Sequence, residues 1–272
     1  MKQRIITGTL LILLLITLLC LPGWCMALAT LISIGFAVWE EYHALTTAGH
    51  RVVSWPAWVV LIGSIPMTYF FGAKVMIPLM GLALLGMVTI ILFRKEPDLM
   101  DLSMSALPIL TVVLPGLSLV ALSLVEQKAV EVILLSLTFA VPLMGDMAAL
   151  FIGSAIGGKK LCPPVSPKKT VSGSIGGLAG SVLTALVIFG ISLLTCNAET
   201  LTKLPPWWEY PLLGFFGGVV GQLGDLFASL VKRHSGIKDF SNLFPGHGGM
   251  LDRLDSVLFM AVLMYCYRLF MA

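Results

Sequence analysis

The sequence predicts an all-α, polytopic integral membrane protein of about nine transmembrane helices, and three observations carry that prediction. Of its 272 residues, 58% are hydrophobic and only 11% charged, with a mean hydropathy of +0.98, far from the usage of a water-soluble domain. Apolar stretches long enough to cross a hydrocarbon core recur along the whole chain, broken by charge or by Pro and Gly. The basic residues, finally, fall unevenly between alternate loops.

The apolar stretches place helices at 5 to 21, 26 to 45, 55 to 72, 75 to 93, 103 to 124, 129 to 153, 173 to 195, 209 to 231 and 254 to 271. Lys2 and Arg4 precede the first run, which no small-x-small cleavage site closes, so it reads as a retained helix rather than a signal peptide. Gly-rich patches at 173 to 180 and 214 to 224 lie inside two of the spans, where small residues let helix backbones approach in lipid. The final span is short and merges at its start with a charged segment.

One set of alternate loops holds Lys2, Arg4, Arg51, Arg94, Lys95, Lys159, Lys160, Lys168, Lys169, Lys232, Arg233, Lys238 and Arg253, thirteen of the seventeen basic residues. The other set holds only Lys74, Lys128, Lys203 and Arg268. This bias predicts a cytoplasmic N-terminus and an external C-terminus. The two most polar loops, 154 to 172 and 232 to 253, then share the cytoplasmic side, where nucleoside triphosphates are available. Cys20, Cys25, Cys162, Cys196 and Cys266 show no metal-ligand or disulfide spacing and read as small apolar residues.

The chemistry concentrates between Ser229 and Ser256. Asp225 lies one helical turn before Ser229 and two before Lys232, so the three share a face of the eighth helix. A carboxylate inside an apolar helix costs several kcal/mol unless it is paired or functional, which singles out Asp225 and, in the sixth span, Asp146. Asp252 and Asp255 put two more carboxylates on one face at the start of the ninth span, hard ligands suited to Mg²⁺ held together with substrate phosphates. Between Asp225 and this pair runs Pro245-Gly246-His247-Gly248-Gly249, a turn whose glycines leave backbone amides open to phosphate. Lys232, Arg233, Lys238 and Arg253 can neutralise a polyphosphate, although basic residues at this edge also serve as membrane anchors. The loop Ser166-Pro167-Lys168-Lys169-Thr170 again offers hydroxyls and ammonium groups to phosphate.

Taken together, Ser229-x-x-Lys232-Arg233, Lys238-Asp239 and His247-Gly248-Gly249-x-x-Asp252-Arg253-x-Asp255 resemble the signature of the phosphatidate cytidylyltransferases, or CDP-diacylglycerol synthases. The resemblance reaches back through Asp225, the Ser166 to Thr170 loop and Asp146-x-x-Ala149, and departs from the family pattern at Leu150 and Ser172. It implies a nucleotidyltransferase that moves CMP from CTP to phosphatidate at the cytoplasmic face of the cell inner membrane, releasing pyrophosphate. It divides one membrane domain, 1–272, into N-terminal helices, 1–128, and a catalytic region, 129–272.

Under that resemblance Asp225, Lys232, Arg233, Lys238, Asp239, His247, Asp252, Arg253 and Asp255 are the expected catalytic residues. Ser166, Pro167, Lys169, Thr170, Ser229, Gly248 and Gly249 are expected to bind substrate. Asp225, Asp252 and Asp255 are expected to hold one or two Mg²⁺ ions, a second, monovalent cation being left open. The expected partners are CTP, phosphatidate and the bilayer, with no nucleic acid; a homodimer is left open, since no residue argues for it. A CTP-dependent enzyme acting on a polyprenyl lipid, or an anion transporter, is the competing reading of the residues.

Overall fold

A computed structural model describes residues 2–71 and 75–271. Lys74, counted above among the outer basic residues, lies outside the described residues. Every apolar stretch forms helix: α1 (Lys2–Cys20), α2 (Gly23–Thr47), α3 (Trp55–Phe71), α4 (Met76–Leu92), α5 (Leu99–Pro108) continuing into α6 (Leu114–Ser123), α7 (Lys128–Ile156), α8 (Val171–Thr195), a single turn α9 (Ala198–Leu201), α10 (Glu209–His234) and α11 (Leu251–Met271). The molecule is thus a polytopic helical bundle. By length and composition, however, five segments among the described residues can cross a membrane: α2, α5 with α6, α7, α8 and α10. The apolar parts of α1, α3 and α4 are shorter, and α11 opens on Asp252, Arg253 and Asp255.

One loop departs from the all-α expectation. β1 (Lys160–Cys162) and β2 (Ser166–Thr170) pair antiparallel, Lys160 opposite Thr170 and Cys162 opposite Ser166. Their Lys, Ser and Pro content has no strand signature, so pairing comes from the turn at Pro163-Pro164 and from the anchor at its end. There Thr170, in extended conformation, caps α8 by accepting the N–H of Gly173 at 3.1 Å.

The two glycine patches build the seam of the bundle. A Cβ on Gly177 would stand 3.0 Å from the Gly145 carbonyl, one on Gly218 2.8 Å from Ser181 Oγ, and one on Gly221 2.9 Å from Pro142 Cβ. Helices α7, α8 and α10 therefore meet almost backbone to backbone, the arrangement that favours dispersion where lipid gives no hydrophobic drive between helices. Ser181 adds a buried hydrogen bond to the Val141 carbonyl across the α7–α8 contact, at 3.1 Å. The segment from α5 to α6 is interrupted by a π-helical turn, Ile109–Val113, immediately after Pro108 removes a backbone donor.

Alternate loops gather at opposite ends of the bundle. At one end Lys128 Nζ reaches the Leu21 carbonyl at 2.5 Å and Gln127 bonds Thr200 at 2.8 Å. At the other, Arg51 pairs with Glu96 at 2.9 Å, Arg94 with Asp101 at 3.0 Å, the His50 and His234 rings meet at 2.8 Å, and Arg233 Nε donates to the Val165 carbonyl at 3.3 Å. The second end collects the hairpin and the segment between α10 and α11.

Gly221→Leu is expected to destabilise the fold by about 1–3 kcal/mol through overpacking against Pro142. A thermal midpoint in detergent equal to wild type would show that the seam has more room than this geometry allows.

Candidate active site

At the hairpin end, α7, α8, α10, α11 and the hairpin enclose a cavity of about 640 Å³. Asp146 of α7, Asp225 of α10, and Asp252 with Asp255 of α11 line it from the helical side, while Lys160, Lys168 and Lys169 line it from the hairpin and Arg253 from α11. Lys169 Nζ forms an ion pair with Asp225. Ser256 Oγ lies 3.1 Å from Asp146 Oδ2 and 3.3 Å from Asp255 Oδ1, so its single proton serves one carboxylate while both are held at the same hydroxyl. Deeper in, the Gln222 amide and Ser174 bond each other twice, hydroxyl to side-chain carbonyl and amide to Ser174 backbone carbonyl, which fixes α10 against the first turn of α8. The cavity thus sets carboxylates opposite ammonium and guanidinium groups across one space.

The segment from Phe240 to Leu251 is shaped by two buried carboxylates. Asp252 accepts Lys232 Nζ at 2.6 Å on Oδ1, and the Phe240 and Gly249 N–H groups, each at 2.9 Å, on Oδ2. Lys232 also lies 5.4 Å from the centre of the Phe240 ring, a cation–π contact. Glu40, from α2, accepts Ser241 Oγ at 2.5 Å, Met250 N–H at 2.9 Å and Leu251 N–H at 2.7 Å. The glycines of the His-Gly-Gly turn make room for these groups. Gly248 has a φ of +81° and a Cβ there would stand 2.7 Å from Asp252 Oδ2; a Cβ on Gly249 would stand 2.5 Å from Glu40 Oε1.

The structure brings Asp225, Lys169, Thr170, Asp252, Arg253 and Asp255 to the one cavity. It does not line that cavity with the other expected residues. Ser229 is half-buried on α10; Lys238 and Asp239 are exposed on the loop; Arg233 ties α10 to the hairpin turn; Ser166 and Pro167 start β2. His247 packs beside α1, where a Cβ on Gly8 would stand 3.5 Å from its Nε2. Gly249 was expected to offer its N–H to phosphate, but that N–H goes to Asp252. Lys232 and Asp225 share α10 but serve different partners, Asp252 and Lys169. Of the departures from the family pattern, Leu150 is exposed at the cavity rim and Ser172 donates to the Gly157 carbonyl at 2.5 Å.

Sequence reasoning missed Glu40 and, beside it, Glu41, which accepts the Thr111 hydroxyl of the π turn at 2.9 and 3.0 Å. Both are about 1% exposed. The signal was available, since two adjacent acids stand inside the second predicted span, and ionisable residues there are expensive.

Residues 2–271 match the Cytidylyltransferase family. The chain belongs to that family. A phosphatidate cytidylyltransferase of Brucella suis biovar 1 (strain 1330) is 34% identical over 241 residues, 87% of this chain and 82% of the relative. That of Aquifex aeolicus (strain VF5) is 35% identical over 201 residues, 73% of this chain and 68% of the relative. That of Bacillus subtilis (strain 168) is 44% identical over 121 residues, 44% of this chain and 41% of the relative. Family membership spans the N-terminal helices too, where the sequence resembled the family only in being hydrophobic, and Glu40 and Glu41 lie in that half.

Lys232→Met strands Asp252 as an unpaired buried charge and is expected to cost about 3–5 kcal/mol of stability. Adding Asp252→Asn should recover part of the loss. Equal thermal midpoints for wild type and Lys232→Met would mean that the pair does not hold the loop.

Proposed function

We propose that this chain is a phosphatidate cytidylyltransferase, transferring the cytidylyl group of CTP to phosphatidate to give CDP-diacylglycerol and pyrophosphate. The observation that carries this reading is the cavity of opposed carboxylates and cations, whose rim includes the exposed Leu150 of a membrane-spanning helix. An anionic headgroup can reach such a site from the lipid face while a nucleotide enters from water. The family and the relatives' names supply the substrates.

The reaction asks little covalent chemistry of the protein. An oxygen of the phosphatidate phosphate attacks the α-phosphorus of CTP, and the bond to the β-phosphate oxygen breaks to release pyrophosphate. That nucleophile is already ionised near neutral pH, so the residues position the reactants and offset charge rather than abstract a proton. Lys160 and Lys168 of the hairpin and Arg253 of α11 face the space the phosphates would fill, and Lys169 is held by Asp225. Arg253 can grip phosphate oxygens bidentately.

The donor set fits magnesium. Asp225 and Asp255, with Asp146 beside them, supply hard oxygens, whereas Asp252, an expected ligand, already serves Lys232 and two backbone amides. Among the described residues no three His, Cys, Asp or Glu side chains form a group able to hold an ion alone, and Mg²⁺ is ordinarily completed by substrate phosphates and water. A bound ion would neutralise charge shared between the two phosphate substrates. The same reading sets the cavity at the cytoplasmic side of the inner membrane, with about nine spans, because the hairpin end carries most of the basic residues.

Purified chain in detergent with labelled CTP and Mg²⁺ is expected to form labelled CDP-diacylglycerol from phosphatidate and none from an isoprenoid phosphate. The opposite preference would overturn the substrate assignment. Asp225→Asn should lower kcat about 100-fold or more; wild-type turnover of this variant at limiting Mg²⁺ would sink its assignment as a ligand.

A further inference from the structure

Glu40 sits on α2, far in sequence from the stretch between Phe240 and Leu251, yet it touches that stretch near both ends. Its Oε1 receives the Ser241 hydroxyl at 2.5 Å and the Met250 N–H at 2.9 Å, and its Oε2 receives the Leu251 N–H at 2.7 Å. The carboxylate is about 1% exposed. Its described hydrogen-bond partners are all neutral, so no cation offsets its burial there. What does offset it is the helix end: the first N–H groups of a helix have no partner within the helix and carry its positive dipole end. Charge-assisted bonds to them are short and strong.

Capping alone does not require a charge. A Ser, Thr or Asn supplies one acceptor at far lower desolvation cost. A carboxylate delivered from another helix does something a local cap cannot, because it ties the rotational setting of α11 to the bundle. With Asp252 taking Gly249 N–H and Glu40 taking the next two, three consecutive amides at the entry to α11, ending with its first residue, are committed. That turn carries Asp252 and Arg253 and leads into Asp255, all of which line the cavity. Gly249 has no room for a Cβ beside Glu40, so the turn is built to admit this carboxylate.

We infer that Glu40 is a positioning residue for the transfer reaction: by clamping Ser241, Met250 and Leu251 it fixes the angle at which α11 presents Arg253 and Asp255 to the reacting phosphates. This rests on the transferase reading of the cavity. Glu40→Gln loses the charge and turns an NH₂ donor toward donors that now have one carbonyl oxygen to share. Small displacements of positioned groups are expensive in rate, about 100-fold for about 1 Å.

The test compares full-length wild type, Glu40→Gln, Glu40→Asp and Ser241→Ala in detergent, each taken from a monodisperse fraction. Measured are kcat, KM for CTP and hydrogen exchange across 241–251. Glu40→Gln is expected to lower kcat about 10- to 100-fold with KM for CTP changed by no more than about 3-fold. Exchange should rise in 241–251 and stay at wild-type level in α7 and α8. Glu40→Asp keeps the charge and is expected to recover most of kcat; Ser241→Ala, which removes one of the three bonds, should lower kcat by about 2- to 5-fold. If Glu40→Gln fails to fold, Ser241→Ala with wild-type kcat overturns the inference. So does a folded Glu40→Gln with wild-type kcat, or one whose exchange rises throughout the chain while turnover per folded molecule is unchanged. If wild type makes no CDP-diacylglycerol, the transferase reading fails instead, and a local rise in exchange in Glu40→Gln still reports the clamp.

Discussion

Asp252 accepts Lys232, the Phe240 N–H and the Gly249 N–H together, so one buried carboxylate joins the last turn of α10, the loop after it and the first turn of α11. Desolvating a charge in this way is costly and is offset only when every strong acceptor position is matched. The consequence is a segment with few alternatives: Lys232 has its counter-charge, Gly248 must adopt positive φ, and Gly249 must lack a side chain. The order of charged and glycine residues that makes this stretch conspicuous is, in large part, the order needed to close that one network. Asp252 lines the cavity together with Asp146, Asp225, Asp255, Arg253 and the hairpin lysines, and its network fixes the turn from which Arg253 and Asp255 project.

The helical architecture was legible because lipid enforces it. Backbone polar groups in a hydrocarbon core must be satisfied within the segment, so each apolar stretch of the sequence had one economical structure, and each became a helix. Length was less legible. Whether a stretch can cross depends on where helix ends fall, and α1, α3 and α4 proved short as apolar segments. The hairpin was invisible for a different reason. Thr170 alone in Lys160–Cys162 and Ser166–Thr170 is a residue type enriched in strands, too little to signal one, and the pairing is tied down by anchors at Thr170 and Arg233 that only tertiary structure supplies.

At the site, spacing along a helix singled out Asp225, Asp252 and Asp255, which line the cavity, but misjudged their partners. Asp225 and Lys232 share α10 as expected, yet each answers a residue from another element, Lys169 in one case and Asp252 in the other. Glycines after a histidine suggested open amides for phosphate, and the amide of the second glycine is spent inside the protein. Both errors have one cause: local sequence shows which groups are polar, and the partner that satisfies them lies many residues away, as Glu40 lies some two hundred residues from Met250.

The glycine seam among α7, α8 and α10 divides the molecule by how much chemical change each face can absorb. Along the seam the contacting surface is backbone, the Pro142 ring and short side chains such as Ser181 and Ala149, which have little freedom to move aside, so an added methyl group has nowhere to go. On the outward faces of α1 and α8, residues such as Leu13, Ile16 and Val187 are more than half exposed, as suits side chains turned toward lipid. There one apolar side chain serves as well as another. Apolar side chains on those faces can therefore be exchanged for one another at little cost, whereas the closest approaches of the seam admit nothing larger than glycine.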